Sequence, residues 1–276
     1  MRVDSHQHLW EFDPLQYGWI GEDMPALRRS YLHADLTREL DAAGIDAAIA
    51  VQARQSLAEN DFLLTQAAVC GRIRGVVGWV DLAARDSDAV LGRYAARPGF
   101  VGVRHVVQGE PDPDFLARPA FNRGIGRLRA HGLVYDLLII APQLPAAIRF
   151  VDRHPDQPFV LDHLAKPAIA SGPVDPVWAT HLRELAHRPH VSCKLSGVVT
   201  EVRQPTWTPA LLEPYVQLAL EAFGPSRLMF GSDWPVVRLR GEYGDWTGAA
   251  EHLTARWSDD ERSALWGGTA QRVYGI

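Results

Sequence analysis

His6 and His8 stand two residues apart at the end of the chain's first apolar segment, Met1-Arg2-Val3-Asp4-Ser5-His6. In a strand, side chains i and i+2 share a face. The spacing therefore places two imidazoles side by side at a strand's C-terminal end. Neutral imidazole ligates zinc, and as a donor it polarises a carbonyl oxygen. Far downstream, Leu228-Met229-Phe230-Gly231-Ser232-Asp233-Trp234-Pro235 ends a second apolar run in a carboxylate. If the first and last strands of one barrel are neighbours, His6, His8 and Asp233 meet. They would then activate water, with Asp233 as general base, or hold a metal between the three.

A scaffold for such a site is visible. Apolar runs of strand length recur at 1–6, 45–52, 73–80, 100–106, 133–138, 158–163, 190–196 and 227–232. Their near-continuous hydrophobicity suits strands buried on both faces, as in a parallel sheet. Between them lie helical patterns, among them 34–43, 59–70, 118–131, 142–153, 176–187, 208–223 and 258–272. Gly44, Gly71, Gly132 and Pro155 read as stops, Asp35, Asn60 and Ser258 as caps, and Gly267-Gly268 as a break in the last helix. Eight strands alternating with helices predict an α/β fold, a (β/α)8 TIM barrel, with residues 1–276 as a single domain. An open doubly wound sheet is the rival, but no Gly-rich phosphate fingerprint follows the first strand. The aromatic-rich segment 9–33 is expected to fold over the barrel mouth.

Catalytic groups of such barrels sit at the C-terminal strand ends. Those ends carry His6 and His8, Gln52 and Arg54, Trp79 and Asp81, Arg104 and His105, Asp136, Asp162 and His163, Lys194 and Ser196, and Asp233, with Lys166 just beyond the sixth. The opposite ends show only Asp46, Arg74 and Arg227 among short turns. His163 is a candidate to orient water or bind the substrate carbonyl. Asp162 alternates to the other face and is expected to pack structurally. Lys194, if it points inward, would stabilise a developing oxyanion; the pattern leaves its direction open. Arg104 and His105 cannot both face inward. Gln52, Arg54, Trp79, Arg104, His105, Trp10 and Trp234 are the substrate-binding candidates. Trp10, Trp19, Trp79 and Trp234 could each stack on a sugar ring or serve as packing.

Composition excludes several classes. A net charge of −5 with no basic block argues against nucleic acid. No apolar run reaches the ~18 residues of a membrane helix, and no secretory leader is expected. Cys70 and Cys193 read as two reduced thiols in a cytoplasmic protein. Of 28 basic residues only Lys166 and Lys194 are lysines. A GC-rich coding sequence would explain the arginines, and it makes the two retained ammonium groups notable. There is no G-x-S-x-G elbow, P-loop or H-E-x-x-H motif. No lysine lies in the fourth strand, so a carbamylated lysine bridging two metals is not expected there.

Together, Asp4-Ser5-His6-Gln7-His8-Leu9-Trp10, Val51-Gln52-Ala53-Arg54, Leu161-Asp162-His163-Leu164-Ala165-Lys166-Pro167, Cys193-Lys194-Leu195-Ser196-Gly197 and Phe230-Gly231-Ser232-Asp233-Trp234-Pro235 resemble the amidohydrolase-2 family, and within it the sugar-lactonase branch. The resemblance runs on to Leu265-Trp266-Gly267-Gly268-Thr269-Ala270; many members carry Asn where this chain has Thr269. It implies a TIM barrel that hydrolyses lactones, with His6, His8, His163 and Asp233 as the core site and Lys194, Arg54 and Arg104 nearby. The implied substrate is an aldonolactone of an L-sugar or 6-deoxy sugar, such as L-fucono-1,5-lactone. No cofactor is required in that branch, although zinc can occupy the histidine site. Other branches are zinc-dependent decarboxylases, which gives an alternative reading; a non-catalytic sugar-binding barrel is a third. Loops 9–33, 54–58, 106–114 and 198–207 are the candidates for reading hydroxyls.

Overall fold

In the computed structural model, which describes residues 1–276, all eight expected strands belong to one parallel sheet in the order β1 to β8. They are β1 (Val3–Gln7), β2 (Ala47–Val51), β3 (Ile73–Gly78), β4 (Phe100–Val106), β5 (Val134–Leu138), β6 (Phe159–Leu161), β7 (Val191–Leu195) and β8 (Leu228–Phe230). Most are shorter than their apolar runs, because the last residues of several runs leave the strand to form the mouth. The helices are α1 (His33–Ala43), α2 (Leu57–Val69), α3 (Ser87–Ala95), α4 (Pro119–Leu128), α5 (Leu144–Asp152), α6 (Pro176–Ala186), α7 (Pro209–Phe223), α8 (Tyr243–Leu253), α9 (Asp259–Ser263) and α10 (Thr269–Tyr274). The architecture is the (β/α)8 barrel.

Local signals account for many of these boundaries. Ser56, Asp175, Thr208 and Ser258 cap helices with their side chains. Gly44 ends α1 in the left-handed conformation. Asn60 is not a cap: it lies inside α2, and its amide bonds the Trp79 backbone N–H and C=O at 2.8 and 2.7 Å. Gly267-Gly268 does split the last helix, into α9 and α10. No helix is long and apolar enough to cross a membrane, and Cys70 and Cys193 are free and buried.

The barrel closes just beyond β8. Asp233 N–H donates to His6 C=O, and His8 N–H donates to Trp234 C=O, each at 2.7 Å. The buried Asp4 carboxylate fastens the seam. It accepts from Ser232 N–H (2.8 Å), Ser232 Oγ (2.6 Å), His6 N–H (3.1 Å) and Tyr243 OH (3.1 Å). The chain's first and last catalytic candidates are thus neighbours by backbone hydrogen bonding. At the other end, Ala270 and Tyr274 of α10 pack with Val3, Ile49, Val77, Val134, Val160 and Met229, closing the barrel floor.

Candidate active site

His6 and His8 stand with their rings edge to face, centroids 4.9 Å apart. Both are buried at the β1 end, although His8 lies one residue past the strand. His8 Nδ1 lies 2.7 Å from Val51 C=O. A carbonyl only accepts, so Nδ1 carries the proton and Nε2 is bare. His6 Nε2 lies 3.3 Å from Arg104 Nη1. A guanidinium only donates; at the other nitrogen, His6 Nδ1 meets both an acceptor, Asp162 Oδ1 at 3.3 Å, and a donor, Lys194 Nζ at 3.2 Å. Asp233 Oδ1 lies 3.3 Å from His8 Nε2, 3.7 Å from His6 Nε2 and 3.9 Å from His163 Nε2.

His6 Nε2 and His8 Nε2 lie 3.2 Å apart beside Asp233 Oδ1, so three metal-ligating atoms converge at one point. Two ligands about 2.0–2.1 Å from one zinc, in tetrahedral array, are separated by roughly 3.3 Å. His6, His8 and Asp233 therefore fit a divalent metal in both donor chemistry and spacing.

His163 leaves the strand altogether. β6 stops at Leu161, and His163, Leu164, Ala165 and Lys166 all take positive φ, near 50–60°. This turn breaks the alternation expected from the sequence. Asp162, still extended and two residues beyond the inward Val160, does not pack outside the barrel; it faces the interior, and the turn after it brings His163 to the same site. Its Oδ2 accepts from Arg104 Nη1 at 3.0 Å, and its Oδ1 lies 3.1 Å from Lys194 Nζ. His163 Nδ1 pairs with Ser196 Oγ at 2.8 Å, leaving its other edge toward Asp233.

Of the adjacent pair in β4, Arg104 takes the site. It lines the mouth cavity, and its Nη2 donates to Gln52 C=O. His105 faces outward, stacked on Phe115 and paired with Glu110 at 2.7 Å. Lys194 points inward but lies beneath the site, wholly buried between Asp136 and Asp162, with Nζ 3.2 Å from His6 Nδ1. It reaches His6 and not the cavity, so it stands away from any oxyanion formed there.

Several expected substrate contacts lie elsewhere. Gln52 is buried, its amide donating to Arg104 C=O. Arg54 pairs with Glu59 at 2.8 Å and covers Tyr17. Trp79 donates to His105. Trp10 donates to Arg29 C=O and packs on Tyr17, Trp19 and Tyr31. Trp234 is buried against Tyr31. None of these lines the cavity, because each is consumed by packing or by a neighbouring backbone group. Of the four tryptophans, Trp19 alone lines the mouth, carried there by the 9–33 segment as expected. Lys166, Gln108, Leu138 and Val236 also line it. Only Lys166, a rare lysine beyond a strand end, carried a sequence signal. The cavity measures about 210 Å³, on the scale of a small ring compound.

Protonation follows burial and charge. Burial drives His6 well below the usual imidazole range, against the pull of Asp162. Burial lowers His163 to about 4, opposed by Asp233 and Asp162. For Asp233, burial pushes upward, but His163, His8 and His6 outweigh it and hold the carboxyl well below the usual range. For Asp162 burial is again outweighed, here by Lys194, His6 and Arg104. At neutral pH the site therefore presents neutral His6 and His163 and an ionised Asp233 beside the Arg104 guanidinium: a base beside electrophile-stabilising donors.

A barrel whose strand ends offer His-x-His, a third histidine and a terminal aspartate defines a hydrolase-type site that activates water with or without metal. The Amidohydrolase family model (Amidohydro_2) matches residues 3–276, and the chain belongs to that family. It is 43% identical to an L-fucono-1,5-lactonase of Burkholderia multivorans and 37% identical to one of Burkholderia ambifaria; each match covers 100% of this chain and 96% of the relative. A crystal structure of a Burkholderia multivorans amidohydrolase with bound zinc superposes with a TM-score of 0.95 at 43% identity, covering 100% of this chain and 99% of that one.

Proposed function

We propose that the chain, acting as one TIM-barrel domain in the cytoplasm, hydrolyses a sugar lactone to the aldonic acid. The substrate is L-fucono-1,5-lactone or a similar L-sugar or 6-deoxy-sugar lactone. The observation that carries this reading is the convergence of the His6, His8 and His163 Nε2 atoms within 4 Å of one ionised carboxylate oxygen of Asp233. The names borne by the relatives of 43% and 37% identity supply the substrate class.

Asp233 removes a proton from water as the water attacks the lactone carbonyl. Arg104, buried and aimed into the cavity, donates to the oxyanion as it forms. His163, fixed by Ser196, orients the water or the carbonyl. The proton on Asp233 then passes to the ring oxygen as the C–O bond breaks, and the acid is released. Lys194 and Asp162 act through His6, holding its ring in place from the Nδ1 side. Lactones are activated esters, so these groups suffice without a required cofactor. Where zinc is bound, His6, His8 and Asp233 would hold it, and it would supply Lewis-acid polarisation and a more acidic water.

The test is acid release from L-fucono-, L-rhamnono-, L-galactono-, D-galactono- and D-arabinono-lactones, followed with a pH indicator, with and without chelator. Hydrolysis favouring one configuration and surviving chelator supports the reading. No acid from any lactone overturns it.

A further inference from the structure

The loop after β6 carries a feature that the chemistry above does not use. His163, Leu164, Ala165 and Lys166 form a left-handed turn of four residues without a glycine, with φ of 53, 53, 58 and 52°. Backbone of this kind persists only where its surroundings over-determine it, and it gathers at ligand clamps. The turn delivers two side chains to one cavity, His163 and Lys166.

The Lys166 ammonium has one charged neighbour, Glu201 Oε1, at 3.7 Å. That is too long for a hydrogen bond. The two side chains are 22% and 14% exposed, so water covers them only partly. The pair does not fasten the loops that bear it. Ile169 N–H donates to Glu201 C=O at 3.1 Å, and Arg203 N–H donates to Ile169 C=O at 2.8 Å; these backbone bonds do so. The ammonium thus lines the cavity with the carboxylate beside it, set back from the lining, and the two are too far apart to satisfy each other. A hydroxyl group satisfies both at once, accepting from the ammonium and donating to the carboxylate. The compact ammonium also suits this position better than a planar guanidinium, and Lys166 is one of only two lysines in the chain.

We propose that Lys166 and Glu201 are specificity residues that together grip a ring hydroxyl of a polyhydroxylated lactone. This rests on the lactone-hydrolase reading and adds to it how the enzyme distinguishes a sugar lactone from a bare one.

The experiment compares Lys166→Met, Glu201→Gln and the double variant with wild type on two lactones of one ring size: the preferred sugar lactone and unsubstituted δ-valerolactone. The readout is the ratio of the two kcat/KM values. Each single variant is expected to lower that ratio roughly 10- to 100-fold, the scale of a lost hydrogen bond to a charged group. The double variant should fall less than the product of the singles, since both grip one hydroxyl. A ratio unchanged within about threefold overturns the proposal, whatever happens to the rates themselves. If wild type does not turn over δ-valerolactone, calorimetric binding of the sugar aldonate decides. Affinity lost in both variants supports the pair, and affinity retained overturns it. A wild type that hydrolyses no lactone would instead overturn the functional reading itself, a result visible before any variant is made.

Discussion

Gly197 stands so close to His163 that a Cβ added to it would fall 2.5 Å from His163 Nδ1 and 3.1 Å from Asp233 Oδ2. Its φ of +63° also disfavours any side chain. The one glycine therefore sets the spacing of the base and its imidazole neighbour. Gly197→Ala is expected to cost about 1–3 kcal/mol of stability, from backbone strain and displacement together. Because a misplacement near 1 Å costs on the order of 100-fold, kcat/KM should fall about that much. Urea denaturation and lactone kinetics on the same preparation check both. A variant with wild-type kinetics would show that His163 and Asp233 need no fixed separation.

Asp233→Asn keeps the shape of the side chain and removes the base. With Asp233 as general base, kcat should fall about 10²- to 10⁴-fold. Zinc affinity should also weaken, since the amide oxygen is a poorer ligand than the carboxylate. Circular dichroism establishes that the variant folds, and a titration against a chromophoric chelator reads the metal. A folded variant that keeps near-wild-type turnover would sink the mechanism.

Stability should depend on pH through His163. Burial holds this imidazole at about 4, against 6.5 for an ordinary histidine. Between those values the unfolded chain binds a proton that the native site refuses. The stability this group contributes is whole above about pH 6.5 and is lost as pH falls toward 4. Burial lifts Asp4 and Asp136 to about 6, against their hydrogen bonds and, for Asp136, Lys194. These two work the other way, so the total slope mixes signs. The difference between wild type and His163→Gln isolates the term: over pH 6.5 to 4, metal-free wild type should lose stability faster than the variant. Parallel curves would mean that His163 takes up its proton without cost.

The barrel was legible because parallel strands buried on both faces leave long apolar runs, and because titratable groups, His6 and His8 at β1 and Asp233 three residues past β8, mark where those runs end. The facing of residues beyond a strand end was not. Counting alternation from His163 put Asp162 outside, yet Asp162 shares the inner face with Val160, and the left-handed turn at His163 brings that residue in as well, so both serve the site. The same limit applied to Lys194: alternation says which residues share a face, not which face is inside. Gln52, Trp10 and Trp234 looked like mouth residues by position. Their hydrogen bonds or packing against segment 9–33 and the neighbouring strands remove them.

Lys194 should prove indispensable to the fold rather than to the chemical step alone. Its ammonium is the shared counter-charge of Asp136 and Asp162, and all three side chains are wholly buried. Tyr274 of α10 donates to Asp136 at 2.7 Å, and Arg104 donates to Asp162 at 3.0 Å. Two acids and two bases thus balance inside the barrel. Lys194→Met preserves the length of the side chain but strands a carboxylate, and breaking a buried pair in this way costs about 3–5 kcal/mol. Adding Asp136→Asn removes the stranded charge and should recover most of that loss. The pair of urea midpoints tests the balance directly. If Lys194→Met alone unfolds at the wild-type midpoint, neither buried acid depends on the ammonium for its charge balance, and Lys194 serves only the orientation of His6.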